Sequence, residues 1–239
     1  SYAAFLDADG LDGARVGLLL DFLGGEAEHR EVNAVVRDAA ETMTRMGATV
    51  VQIRIPRLAE LTRELALSVF EAKAAFNQYL RSLGPEAPVS TMDEFIARGE
   101  FHPEIGPSLE AEQRMMDGLS DPEYRRRLLR RDDLRSAVMR VMADNELDVI
   151  LYPHQRRLVV PIGEPQVERN GVLSNSTGFP AIAIPGGFSA PTASAPLGVP
   201  IGIELLGPEW SEPMLIRVAY AFEQAADVRR PPQSTPPLR

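Results

Sequence analysis

Three groups of side chains have types that could do chemistry. Ser174 and Ser176, with His154 and Asp148, are the residue types of a serine-hydrolase relay. Acyl transfer by such a relay needs an activated oxygen, a base within hydrogen-bond reach and oxyanion donors. Neither serine stands in a G-x-S-x-G elbow, the strained turn that exposes such a nucleophile. The second candidate is Lys73, the only lysine, in Glu71-Ala72-Lys73-Ala74-Ala75-Phe76. A reactive lysine needs burial and a base partner. Glu71 lies two positions away, on another face of a helix, so Lys73 reads as a solvated helix lysine. The third group is Tyr152-Pro153-His154-Gln155, where an apolar run ends at proline. Sites of α/β folds assemble at the C-terminal ends of strands. Tyr152, His154 and Gln155 therefore read as pocket residues that hold a polar group of a substrate. The competing reading is a histidine that caps the strand end and bonds backbone. Asn175 and Thr177, just downstream, read either as side chains bonded to their own turn or as substrate contacts. His102, in Glu100-Phe101-His102-Pro103, reads as an exposed loop histidine.

Composition narrows the classes. The 239 residues are 44% hydrophobic and 25% charged, as in an ordinary globular protein with a full core. A net charge of −9 argues against nucleic acid, whose binding needs a basic face. No apolar run approaches the length of a membrane span, so no membrane is expected and the cytoplasm is the default compartment. With no cysteine there are no disulfides and no thiolate metal sites. P-loop, dinucleotide and helical zinc motifs are absent from the sequence, so neither a cofactor nor a metal is expected.

The elements that must position these side chains are legible from periodicity. Leu11–Leu20 reads as a turn leading into a buried strand. Val32, Val35, Val36, Ala39, Met43 and Met46 form one apolar stripe of a helix over Glu26–Met46, with Gly47 after its end. Ala48–Ile55 alternates like a strand and stops at Pro56, which completes a βαβ unit. A long helix is expected over Ala59–Leu83, and an insertion-like region of short helices over 84–121, near 91–98 and 108–118. Asp121 caps a helix that runs to Asn145, with Pro122 at its first position and arginines that read as a solvated, ion-paired face. Leu147–Pro153 is a buried strand. Ala181–Ile184 and Val199–Leu206 are two more, read as buried on both faces and as antiparallel neighbours. Pro185-Gly186-Gly187 is expected to close the first. Pro200 implies that the second is paired on one side only near its start. Ser211 is expected to cap a helix over about 212–227, and a proline-rich tail occupies 229–239.

Asn175-Ser176-Thr177-Gly178-Phe179-Pro180-Ala181 through Gly187-Phe188, then Val199-Pro200-Ile201-Gly202, then Ala219-Tyr220-Ala221-Phe222-Glu223, resembles the C-terminal end of amidase signature hydrolases. The match is strongest over 148–239. Leu11-Asp12-Gly13-Ala14-Arg15-Val16-Gly17 is similar to the family's strand after its catalytic half, and Asp148–Pro153 to its D-x-L-L-x-P strand. His154-Gln155-Arg156-Arg157 departs from the usual Thr-rich continuation. Glu168, seven positions before Asn175, lies where the glutamine-amidotransferase branch carries a substrate-binding acid, although the residues between do not match that branch.

The resemblance implies an α/β fold, a mixed buried sheet flanked by helices, with 1–239 as the C-terminal portion of an amidase signature domain. It implies hydrolysis of a small-molecule amide by a Ser–cis-Ser–Lys triad. The Gly/Ser-rich segment of that triad is not found here, so the expectation is a supporting portion, catalytically incompetent by itself, whose partner is a missing N-terminal catalytic half. The sheet edge and helix faces that would meet that half are expected to be apolar, and a homo-oligomer is a further expectation. The competing class is a non-catalytic binding or scaffold module that pairs with a separate catalytic chain. An unrelated α/β hydrolase would require Ser174 or Ser176, His154 and Asp148 to meet.

Overall fold

A computed structural model describes residues 1–231. Its Cα positions form two compact units, one of Ser1–Thr62 with the chain from Leu134 onward, the other of Arg63–Asp133.

The first unit is built on a five-stranded mixed sheet. Strand β1, Arg15–Leu19, leads to helix α1, Arg30–Arg45, and to strand β2, Thr49–Ile53. β1 and β2 are parallel, with Val16 opposite Val50, as a βαβ connection requires. The stripe of α1 buries Val32, Val35, Val36, Ala39 and Met43. Met46, one turn on, is exposed, because it already belongs to the C-terminal cap and not to the packed helix face. Gly47 leaves the helix at φ 96°, in the left-handed region that glycine enters without a Cβ penalty.

The second unit departs from the expected long helix. A single turn, α2, Leu58–Leu61, ends before it, and α3 begins only at Ser68 and runs to Ser82. Glu64 sits at φ 52°, which breaks the helical ladder. Two carbonyls freed beyond the break find arginine donors. Arg127 Nη1 donates to Ala66 O at 2.7 Å and Arg131 Nε to Leu65 O at 2.9 Å. The arginines expected to be a solvated face are thus partly structural. Others keep the expected ion pairs, Arg126 with Glu123 and Arg130 with Glu64. Helices α4, Met92–Arg98, and α5, Gly106–Arg114, are the expected short pieces. Lys73 is not solvated. Its ammonium lies 3.2 Å from Gln113 O and 3.2 Å from Asp93, and so ties α3 to α4 and α5. The Asp93 carboxyl is held below its ordinary range, first by the Gln113 side chain and then by Lys73. His102 is exposed and accepts the Glu104 N–H at 3.3 Å, a cap on one turn of 3-10 helix.

Helix α6, Pro122–Asp144, spans the boundary between the units and opens on the expected cap, where Asp121 Oδ1 accepts the Glu123 N–H at 2.7 Å. Strand β3, Val149–Pro153, is buried at every residue. It lies parallel to β1 and in the middle of the order β2-β1-β3-β5-β4. After β3 comes a short helix, α7, Val172–Thr177, in a stretch that carried no helical periodicity. Strands β4, Ala181–Phe188, and β5, Pro200–Leu206, are antiparallel neighbours. β4 does not stop at Pro185-Gly186-Gly187. It passes through with a register shift, because an edge strand can accommodate a missing N–H and a bulge. For the same reason it is not buried on both faces: Ala181 and Ala183 are exposed. β5 behaves as Pro200 implied. It pairs with β4 from Pro200 onward and with β3 only from Ile203.

Helix α8, Glu212–Ala226, closes the described chain. Ser211 precedes it but does not cap it through its side chain; its hydroxyl instead donates to Pro208 O at 2.7 Å. Most of the 229–239 tail lies outside the described residues. The main core gathers one face of α1 and α8 against Val16, Leu18, Val149, Leu151, Ile203 and Leu205. Ile150 and Tyr152 alternate to the other face of β3, as strand geometry demands.

Leu151 is fully buried in the central strand. Leu151→Ala is expected to cost about 2–5 kcal/mol, read as a lower denaturant midpoint with an unchanged slope.

Candidate functional site

The site begins with a register. Tyr152 of β3 stands directly opposite Glu204 of β5. Directly opposed residues of an antiparallel pair project on the same face, and His154, two residues beyond Tyr152, continues on that face. One carboxylate thus receives two side chains. The Tyr152 hydroxyl donates to Glu204 Oε1 at 2.7 Å, and His154 Nδ1 is hydrogen-bonded to Glu204 Oε2. Glu204 is 3% exposed and Tyr152 is fully buried. A carboxylate so deep is tolerated only when its lone pairs are taken by donors. Burial, followed by the charge of Glu204 and its hydrogen bond, pushes the Tyr152 phenol well above its ordinary range, so the phenol keeps its proton. The Phe22 ring packs edge-on against Tyr152, centroids 5.3 Å apart.

A second buried polar residue holds the strand end in place. Asn170 is 1% exposed. Its amide nitrogen donates to Pro153 O at 2.8 Å and to Phe22 O at 3.2 Å, and its oxygen accepts from Arg156 Nε at 3.1 Å. Its backbone N–H donates to His154 O at 2.8 Å. Asn170 thereby ties the ends of β3 and β1 together. The chain on either side pairs as well, with a bridge between Gln155 and Arg169 and a bond from Arg156 N to Glu168 O at 3.1 Å. Gly171 follows, and a Cβ there would come within 2.9 Å of His154 Cε1. Only glycine leaves room for the imidazole.

Glu168 has a structural partner. The His29 Nδ1 accepts the Glu26 N–H at 3.0 Å, which fixes the other ring nitrogen as the donor, and Nε2 lies 3.2 Å from both Glu168 oxygens. His29 is buried, and Glu168 stands at φ 62°. This contact ties the approach to α1 to the excursion between β3 and α7.

These elements border a cleft of about 260 Å³ at the C-terminal end of β3. Its polar wall is His154, Gln155 and Arg157; its apolar wall includes Val32, Leu158, Ala183 and Ile201. Of the five residues expected to meet substrate, His154 and Gln155 line the cleft. Tyr152 lies beneath it with its hydroxyl on Glu204. Thr177 is buried in α7; its hydroxyl donates to Leu173 O at 2.6 Å and accepts the Phe179 N–H at 3.2 Å. Asn175 is exposed on the same helix. The serine relay does not form. Asp148 accepts the Arg15 N–H at 2.8 Å, the Ser174 hydroxyl donates to Gly171 O, and His154 is held by Glu204.

Sequence reasoning missed Glu204, Asn170, Gly171, His29 and Arg157. Glu204 had a signal, since it is the one charged residue in an otherwise apolar strand run and buried charges need partners. Asn170 and His29 had none, because their partners lie far away in sequence.

A family model described as Amidase matches residues 4–216. A probable amidase of Arabidopsis thaliana is 28% identical over 97% of the chain and 42% of its own length. A glutamyl-tRNA(Gln) amidotransferase subunit from a Synechococcus strain is 26% identical over 96% of the chain and 46% of its own length. Among solved structures, the native peptide amidase of Stenotrophomonas maltophilia aligns with a TM-score of 0.77 at 30% identity, covering 97% of the chain and 47% of that protein. The chain spans less than half the length of each.

Replacing Tyr152 by Phe tests the buried pair. A phenol whose folded pKa is raised stabilises the fold fully below its unfolded value, about 10, and that contribution is lost as pH rises through the folded value. Unfolding free energy is therefore expected to fall at alkaline pH, and less steeply in Tyr152→Phe, measured by denaturant melts from neutral to strongly alkaline pH. Glu204→Ala, which leaves the phenol without its acceptor, is expected to cost about 1–3 kcal/mol at neutral pH.

Proposed function

Because this chain belongs to the amidase family, we propose that it is the C-terminal portion of a hydrolase of linear amide carbon–nitrogen bonds. In this reading the reactive serine, its bridging serine and the catalytic lysine come from residues outside this sequence. The serine attacks the amide carbonyl, the serine–lysine pair moves the proton, and ammonia or an amine leaves. The portion described here supplies part of the sheet and one wall of the substrate cavity, with His154 and Gln155 facing the substrate and Tyr152 acting through Glu204. Asn175 and Thr177 shape the turn that leads into β4.

The observation that carries this reading is the state of the reactive residue types. The single lysine is engaged by Asp93 and Gln113, and Ser174 and Asp148 of the candidate relay bond to backbone. The share of the relatives' length that the chain covers, 42–47%, agrees with a missing half.

The chain of 239 residues is expected to release no product from a simple aryl amide, followed by absorbance over hours. Turnover that disappears when a residue within 1–239 is replaced would overturn the proposal. Mixing with a separately produced catalytic half of a family member is expected to leave the chain in a co-eluting complex. A chain that elutes alone from that mixture speaks against a supporting role.

A further inference from the structure

The imidazole of His154 has its hydrogen-bonding sense set from behind. The Tyr152 phenol gives its proton to Glu204 Oε1, and Oε2 of the same carboxylate meets His154 Nδ1. A carboxylate only accepts, so Nδ1 carries a ring proton, and in the neutral imidazole Nε2 is then a lone-pair acceptor. No described residue donates to Nε2. The ring side chain is 48% exposed and lines the cleft. Its free edge is flanked by Gly171, where a Cβ would lie 3.5 Å from Nε2. An exposed acceptor without a donor on the cleft wall calls for a ligand that brings a hydrogen-bond donor. The apolar residues of the lining, Val32, Leu158, Ala183 and Ile201, call for a hydrocarbon body beside that donor.

We propose that Glu204 fixes His154 as the Nδ1–H tautomer, so that the cleft selects ligands carrying an amide N–H over isosteric esters. This rests on reading the cleft as a wall of an amide-binding cavity. His154 is then a specificity-determining residue and Glu204 a positioning residue. An ester of the same shape presents only acceptors and would set lone pair against lone pair at Nε2. A site built to bond an N–H discriminates strongly against the analogue that lacks it.

The test uses the whole 239-residue chain. The ¹⁵N shifts of its histidine side chains at mildly alkaline pH should show His154 protonated at Nδ1 and bare at Nε2. Titration with N-methylbutanamide and with methyl butanoate, which differ at the reacting position only by N–H against O, should favour the amide by roughly tenfold. In Glu204→Gln the carboxamide oxygen stays with the Tyr152 hydroxyl and its NH₂ turns to Nδ1, so His154 should switch to the Nε2–H tautomer and the preference should vanish or reverse. Tyr152→Phe leaves the carboxylate on Nδ1 and should keep both tautomer and preference. Protonation of the unaltered protein at Nε2 would overturn the role given to Glu204. Equal binding of the two ligands, or no binding of the amide, would overturn the selectivity. The tautomer is read without turnover, so amide hydrolysis by the chain alone would sink the proposed function and leave this result standing.

Discussion

The carboxylate of Glu204 is the constraint from which the rest of the site follows. It sits inside the sheet, between two strands that are buried for most of their length, where an ionised group without donors would cost several kcal/mol. The register of β3 against β5 brings both hydrogen-bond partners to one face, the Tyr152 phenol and the His154 imidazole. Shifting β5 by one residue would turn Glu204 to the opposite face, into the cluster formed by Ile203, Leu205 and the helices α1 and α8. The polar network thus specifies the strand register as firmly as the hydrophobic pattern does.

Around that centre the molecule holds a strand end rigid. The backbone beyond Pro153 has left the ladder, and unpaired backbone groups in a buried place must be met. Asn170 meets them from the far side of an excursion, and His29 with Glu168 anchors the excursion itself. The result is a cleft bordered by a fixed strand end and by an imidazole held on Glu204. The amidase family match extends over 4–216, and within it Lys73, Asp148 and Ser174 are bound into structural contacts.

Lys73 and the α6 arginines show how a surface reading can fail. Spacing along a helix reports which side chains share a face, not what packs against that face. Lys73 has a helical neighbourhood that looks solvated, yet two other helices of its unit place Asp93 and a carbonyl beside it. The break at Glu64 was equally hidden. Nothing in 59–83 is a strong helix breaker, and the interruption persists because Arg127 and Arg131 satisfy the carbonyls it frees. At Ser211 the cap residue was right in type, but a nearer acceptor took its hydroxyl.

By itself, the sequence determined the α/β class, the β1–α1–β2 unit, the fully apolar β3 and the antiparallel β4–β5 pair, because each depends on local periodicity and on where proline and glycine fall. It also placed His154 and Gln155 at a strand end, the position where α/β clefts form. Tertiary structure alone decided what holds His154. The imidazole's partner is fifty residues away in sequence, its orientation depends on a glycine seventeen residues later, and both meet it only once the strands are in register. Local propensity cannot encode a hydrogen bond between side chains that the chain brings together only by folding.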